Sequence, residues 1–279
     1  MTVNPVYKQG WTMEDIHWSQ FDPSKVDPML LAAVKAAALV EYNAPDYVTY
    51  LKRVFSQASP ATLASLDQWG KEEAQHGRAL GAWAELADPT FNLEDAFARF
   101  RKGYTPAHFA PEQDGSVRGS RRGEMIARCV VESGTSSYYS AIRDAADEPV
   151  LKEIAGRIAA DEYRHYKLFY DILHRQSGPD LGFWKKLWIA IGRVRESDDD
   201  ELAFSYYCAN VPPEKEAITP YKRKKYSHLA GQASMTVYHR HHIQKLVQMV
   251  VKVLGANPHG WLASLAGAVL WRRLSARSA

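Results

Sequence analysis

A chain of 279 residues with 46% hydrophobic and 24% charged side chains can bury a sizeable core, and it falls between one large domain and two small ones. Two cysteines, Cys129 and Cys208, are too few for a disulfide scaffold, and the N-terminal "MTVNPVYKQGWTMEDIHWSQFDP" lacks the basic-then-apolar order of a signal peptide, so a reducing cytoplasm is expected. The formal charge of +3 conceals an asymmetry, because residues 181–279 carry 15 Lys and Arg against 7 Asp and Glu while the first 180 carry 20 against 25. No apolar run reaches the roughly 20 residues that a membrane-spanning helix needs.

In chain order, the first helical stripe reads Val34, Ala37, Glu41, Ala44, Val48, Leu51 after Asp27-Pro28, and the second reads Leu66, Trp69, Glu73, His76, Leu80, Trp83 between Ser59-Pro60 and Asp88-Pro89. A connection of about thirty residues, "ADPTFNLEDAFARFRKGYTPAHFAPEQDGSVRGS", follows, far longer than an antiparallel hairpin needs. The third stripe is Cys129, Glu132, Thr135, Tyr139, Ile142. The fourth is Leu151, Ala155, Ile158, Glu162, His165, Phe169, Ile172, opened by Glu148-Pro149 and closed by Ser177-Gly178-Pro179. Beyond Pro179 come "LGFWKKLWIAIGRV", a long run from about Thr219 to Leu254, and the tail "GWLASLAGAVLWRRL". The extended-strand pattern is missing. Two helical hairpins joined by one long crossover predict an all-α, ferritin-like four-helix bundle over about 28–177, with a helical extension over about 180–279 packed on it as part of one domain.

Each of the four stripes is interrupted by a carboxylate where a helix normally buries an aliphatic side chain. With 16 Glu and 10 His, about 0.6 Glu-x-x-His patterns are expected by chance, and three occur. Glu14 with His17 lies outside any clear apolar stripe and reads as incidental. Glu73 with His76 and Glu162 with His165 sit on the inward seams of their helices, and the other two helices carry Glu41 and Glu132. The spacing repeats as well, at 32 residues from Glu41 to Glu73 and 30 from Glu132 to Glu162. An unpaired buried carboxylate costs several kcal/mol, and four together repel one another. Two divalent cations compensate them, and a Glu from each of two helices with a Glu-x-x-His from each of the others is the ligand set of di-metal carboxylate bundles. The competing reading is a set of core Glu and His residues satisfied by Arg and Tyr. Carboxylate and imidazole donors without thiolates favour iron or manganese over a structural zinc.

"WGKEEAQHGRAL" and "IAADEYRHYKLFYDIL" resemble the two metal motifs of the soluble acyl-carrier-protein desaturases. "EYNAPDYVTYL", with Pro four residues after Glu41, resembles their first ligand helix, and "VESGTSSYY" resembles the third. The similarity spans roughly residues 20–175. It implies Glu41, Glu73, His76, Glu132, Glu162 and His165 as ligands of two iron ions, and Asp161 as an acceptor that orients a ligand histidine. It also implies a role for Thr135 in oxygen activation and proton delivery, against which stands a simple bond to its own helix carbonyl. Gln75, where the family usually has Arg, and Arg78, where an acidic residue is common, are departures that bear on the substrate rather than the metals.

The reaction so implied is dioxygen-dependent oxidation of an acyl chain, desaturation above all, with a hydroxylase of another substrate or a ferroxidase as alternatives. No flavin fingerprint or cysteine cluster is present, so a ferredoxin-type reductant is the expected donor, and a homodimer is the expected assembly. The basic "YKRKKY" of residues 221–226 suits an acidic acyl carrier protein or simply a solvated face. "WLASLAGAVLWRRL" suits an interfacial helix, although the carrier protein is the favoured partner, and no nucleic acid is expected. His239, His241 and His242 lack i, i+4 spacing and read as surface histidines. Tyr42, Tyr138, Tyr139, Tyr163 and Tyr166 crowd the ligand helices, mostly as packing residues.

Overall fold

A computed structural model describes residues 10–104, 115–176, 179–196 and 200–278. The described residues form α-helices, short 3-10 turns and loops, with no strand among them. The punctuation read from the sequence is capping chemistry. Asp27 accepts from the backbone N–H of Met29 and Leu30 to start α1 (Pro28–Tyr42). Ser59 accepts from Thr62 to start α3 (Pro60–Ala87), Ser120 from Gly123 to start α5 (Arg121–Ala145), and Glu148 from Leu151 to start α6 (Pro149–Arg175). In α1, α3 and α6 a proline sits in the first turn, where its missing N–H would have had no partner.

The first stripe does not run through as one helix. Pro45 has no N–H for the Glu41 carbonyl, so α1 ends at Tyr42 and α2 (Ala44–Val54) begins after Asn43. The crossover contains a helix that its apolar pattern did not announce, α4 (Leu93–Gly103), capped by Asn92 with Glu94 and Asp95 in its first turn and Arg101 and Lys102 in its last. Residues 105–114 of that connection, and the Ser177-Gly178 stop signal, lie outside the described residues. The extension holds α7 (Phe183–Glu196), α8 (Asp200–Asn210), α9 (Arg223–Met235), α10 (Arg240–Val253) and α11 (Trp261–Ser278). Of these α8 was not anticipated, and the expected run over 219–254 is two helices separated by Thr236–His239.

Helix α1 packs on α3, α5 on α6, and α3 on α6, while α8 and α9 lie on α1, and α7 and α10 on α5. The core is divided. One apolar cluster gathers Leu39, Leu80, Trp83, Tyr139, Ile142 and Ile158, and another gathers Leu51, Leu66, Trp69, Met125, Phe169 and Ile172. Helices α3, α5 and α6, and α1 together with α2, each pass from one cluster to the other. The residues at the crossing are Glu73 and His76, Glu132, Glu162 and His165, and Glu41, so a polar layer lies between two apolar halves.

Helices α1 and α3 touch closely beside this layer. A Cβ added at Gly77, next to His76, would lie 2.5 Å from the backbone nitrogen of Tyr42, next to Glu41. Gly77→Ala gains up to about 1 kcal/mol of helix propensity but must push two backbones apart. It is expected to lower the unfolding free energy by about 1–3 kcal/mol in urea titration, and an unchanged midpoint would refute so close an approach.

Candidate metal centre

Six side chains from four helices converge in the polar layer. Glu41, Glu73, His76 and Glu162 form one group whose donor atoms all lie within 4.8 Å of one another, and Glu73, Glu132, Glu162 and His165 form a second. Glu73 and Glu162 belong to both, whereas Glu41 with His76 and Glu132 with His165 lie at opposite ends. All six are buried, with His76, Glu162 and His165 at 0% exposure. His76 Nδ1 lies 3.2 Å from Glu162 Oε1 and 4.0 Å from Glu41 Oε2. His165 Nδ1 lies 2.8 Å from Glu73 Oε1 and 3.8 Å from Glu132 Oε2.

A test of fit comes from the atoms without hydrogen bonds. Glu73 Oε1, Glu162 Oε1, His76 Nδ1 and His165 Nδ1 are buried and unmatched, the last in spite of its short approach to Glu73. A buried polar atom without a partner costs about 1–3 kcal/mol, and these four all face the centre of the layer. Cations among the six residues would satisfy them together, so the residues fit a pair of metal ions.

The outer nitrogens of the two imidazoles are held. Asp161 Oδ2 meets His76 Nε2 at 3.1 Å, and Glu72 Oε2 meets His165 Nε2 at 2.8 Å. These bonds place a proton on each Nε2 and turn each Nδ1 lone pair inward. Each acidic residue immediately precedes the Glu of one Glu-x-x-His pattern and supports the histidine of the other, so the two motifs brace each other across the α3–α6 contact. Arg164 hydrogen-bonds Asp161 and has its Nη2 3.9 Å from Glu72 Oε2, so one guanidinium serves both. Asp161 was expected in this role. Glu72 was not, although the doublet Glu72-Glu73 repeats the doublet Asp161-Glu162.

Two further groups reach the carboxylates. Thr135 Oγ1 donates to Glu162 and lies 3.3 Å from the Val131 carbonyl, so a hydroxyl with one hydrogen stands between the site and its own helix. Tyr139 donates to Glu41 Oε1 at 2.5 Å; its position one turn beyond Thr135 was the available signal. The N-terminal segment closes one side. Trp11 stacks on the His76 ring at 6.0 Å and donates from Nε1 to Asp161 Oδ2 at 2.8 Å, while Gln75 Nε2 donates to the Trp11 carbonyl at 2.9 Å. Gln75, the departure noted above, thus anchors this cover.

Other marked residues fall elsewhere. Glu14 is exposed, and the exposed His17 pairs with Glu153 at 3.1 Å, away from the layer. His241 and His242 gather on Asp144, but the backbone N–H of His239 donates to His242 Nδ1, which places the ring proton on Nε2 toward Asp144 and leaves that nitrogen no lone pair for a cation. Arg223 and Lys224 of the basic run line a cavity of about 730 Å³ between α8, α9 and α11, together with His228, Ser234, Met235 and Leu274. Ser234 hydrogen-bonds Tyr138, whose ring packs 5.4 Å from Tyr139. Comparison with protein-family models and with curated proteins finds no match for this chain.

Electrostatics explain why protons alone are a poor substitute for cations here. Burial, and then the charges of Glu73 and Glu162, push the Glu41 and Glu132 carboxyls well above their ordinary value. Burial alone would lower the imidazoles. The carboxylates of Asp161 and Glu162 beside His76, and of Glu72 and Glu73 beside His165, favour the charged imidazoles more strongly and raise both, His165 to about 9. Burial likewise acts upward on Glu73, but its short approach to His165 and that residue's charge hold it low. Without cations the site approaches neutrality by keeping protons on Glu41, Glu132, His76 and His165.

The four raised groups bind more protons in the folded chain than in the unfolded one, so the stability they contribute is present at low pH and is lost as pH rises. The window opens near 4.5 for the carboxyls and runs from 6.5 to about 9 for His165. Chelator-treated protein should therefore melt at progressively lower temperature from pH 6 to pH 9. Ferrous or manganous ion should bind more tightly across the same range, releasing protons, and should restore the melting temperature at pH 9. Melts that are flat with pH and indifferent to metal would contradict this electrostatic account.

Proposed function

We propose that the chain is a non-haem di-iron oxidoreductase of the ferritin-like kind that uses dioxygen to oxidise an acyl chain, most nearly as a cytoplasmic fatty acyl-[acyl-carrier-protein] desaturase. The observation that carries this reading is the sharing of Glu73 and Glu162 between two ligand groups closed at opposite ends by Glu41 with His76 and by Glu132 with His165. Bound iron, or manganese in part, would supply the redox chemistry of oxygen reduction, with electrons from a ferredoxin-type donor.

The chain's own residues prepare that chemistry. Asp161 and Glu72 hold the imidazoles so that Nδ1 points inward. Trp11 and the two apolar clusters keep water from the layer, which strengthens every charge interaction inside it. Thr135, hydrogen-bonded to Glu162 and in contact with its own helix carbonyl, would hand a proton inward. The cavity between α8, α9 and α11 supports an acyl substrate, because its floor includes Met235 and Leu274, Arg223 and Lys224 suit an acidic carrier, and Ser234, Tyr138 and Tyr139 connect it to Glu41.

The deciding experiment is mass spectrometry of products after anaerobic reduction and exposure to oxygen with a panel of acyl carriers. An alkene from an acyl-carrier substrate is expected. A hydroxylated product would replace desaturation by hydroxylation, and ferrous oxidation with every acyl chain unchanged would leave a ferroxidase.

Metal content gives an independent check. About two irons per chain are expected, with most of that content lost in Glu162→Ala, whose carboxylate serves both groups. Full occupancy in both that variant and Glu132→Ala would overturn the site. Thr135→Val, which keeps the shape and deletes the hydroxyl, should retain iron while product formed per oxygen consumed falls about 10–100-fold and peroxide is released. Unchanged coupling would leave Thr135 a helix-bonding residue.

A further inference from the structure

Helices α7 and α11 each present a ridge of large apolar residues to solvent. On α11, Ala263 and Gly267 face α10, where a Cβ added at Gly267 would collide with Gln244 and the Ala263 carbonyl accepts from Gln244 Nε2. Trp261, Leu262, Leu265 and Val269 lie on the opposite side at 73%, 51%, 55% and 45% exposure, with exposed Arg272 on the same outward face. On α7, Lys186 and Ala190 face inward. Trp184 and Trp188, one turn apart, stand outward at 71% and 66% exposure with Arg195 in register. Both helices flank α10: Leu187 and Ala190 pack with Val250 and Leu254, and α11 runs along Gln244.

The charge around these faces is mostly positive. From Ala217 to Ala279 the chain holds ten Lys and Arg and no Asp or Glu, and α7 adds Lys185, Arg193 and Arg195. A second copy seated on this surface would set cation against cation, so self-association is disfavoured. Tryptophan ridges beside exposed arginines and lysines match the interfacial zone of a bilayer, where indole rings lie at headgroup depth and basic side chains meet anionic phosphates. No helix among the described residues is long and apolar enough to cross a membrane. The contact is therefore one made from the side.

We propose that the outward faces of α7 and α11 form a peripheral docking surface for an anionic lipid bilayer. Two short helices each contribute too little for stable attachment alone, and together with the basic charge they give the paired apolar and electrostatic signals that reversible membrane binding requires. The surface is independent of the metal site, so it stands or falls apart from the proposed chemistry.

The test is sedimentation of the full-length chain with vesicles, read alongside its tryptophan fluorescence. The chain should bind vesicles of phosphatidylglycerol and phosphatidylcholine, bind pure phosphatidylcholine much less, and release in 0.5 M salt. The paired substitutions Trp184→Ser with Trp188→Ser, and Trp261→Ser with Leu265→Ser, should each weaken the partition about tenfold without altering the far-ultraviolet circular dichroism or the iron content. Absence of binding to anionic vesicles at low salt overturns the proposal. So does binding that survives both paired substitutions, or a dimer in analytical ultracentrifugation that these substitutions dissolve in a chain that ignores vesicles.

Discussion

Four buried carboxylates held against one another dominate this molecule. A carboxylate core is unstable unless positive charge enters it. Leu39, Trp83, Ile142 and Ile158 seal one side of the layer and Leu66, Trp69, Met125 and Phe169 the other. The inward imidazole nitrogens remain unmatched while the outward ones are bonded. Packing, capping and hydrogen bonding all serve to hold like charges close together, which is the opposite of what stability alone favours.

The bracing of the layer is reciprocal. Asp161 on α6 steadies His76 on α3, and Glu72 on α3 steadies His165 on α6, with Arg164 beside both acids. A rotation of either helix about its axis would break an outer bond and misdirect an inner nitrogen together. The N-terminal segment adds a third restraint through Trp11, which contacts His76 and Asp161 at once. The site is thus tied to a segment about 65 residues away from His76 in sequence, and removing that segment would expose an imidazole edge to water.

The C-terminal third has a different character. It contributes the α8 face of α1 and the α10 face of α5, and it carries nearly all the excess basic charge and the exposed tryptophans. Most of the buried acid therefore lies in the bundle, while the excess of base lies in the extension. The cavity lined by Arg223, Lys224 and Ser234 lies within the extension, between α8, α9 and α11.

Much of the helical layout and all six inward residues were legible in the sequence, because both are local properties. A period of three to four residues determines which side chains share a helix face, and Asp27, Ser59 and Glu148 mark starts by bonding N–H groups two or three residues away. Glu-x-x-His is visible for the same reason, since residues three apart are neighbours on any helix. The break after Glu41 and the helix at Leu93–Gly103 were less legible, as the first rests on a single proline and the second on a helix whose apolar face is short. What only the tertiary structure decided is which side chain meets which across helices: that Glu73 and Glu162 are the shared carboxylates, that Glu72 holds His165, that Tyr139 reaches Glu41, and that Trp11 covers His76. Those pairings join residues 65 to 98 positions apart, and periodicity along one helix carries no information about the rotation and height of the helix it packs against.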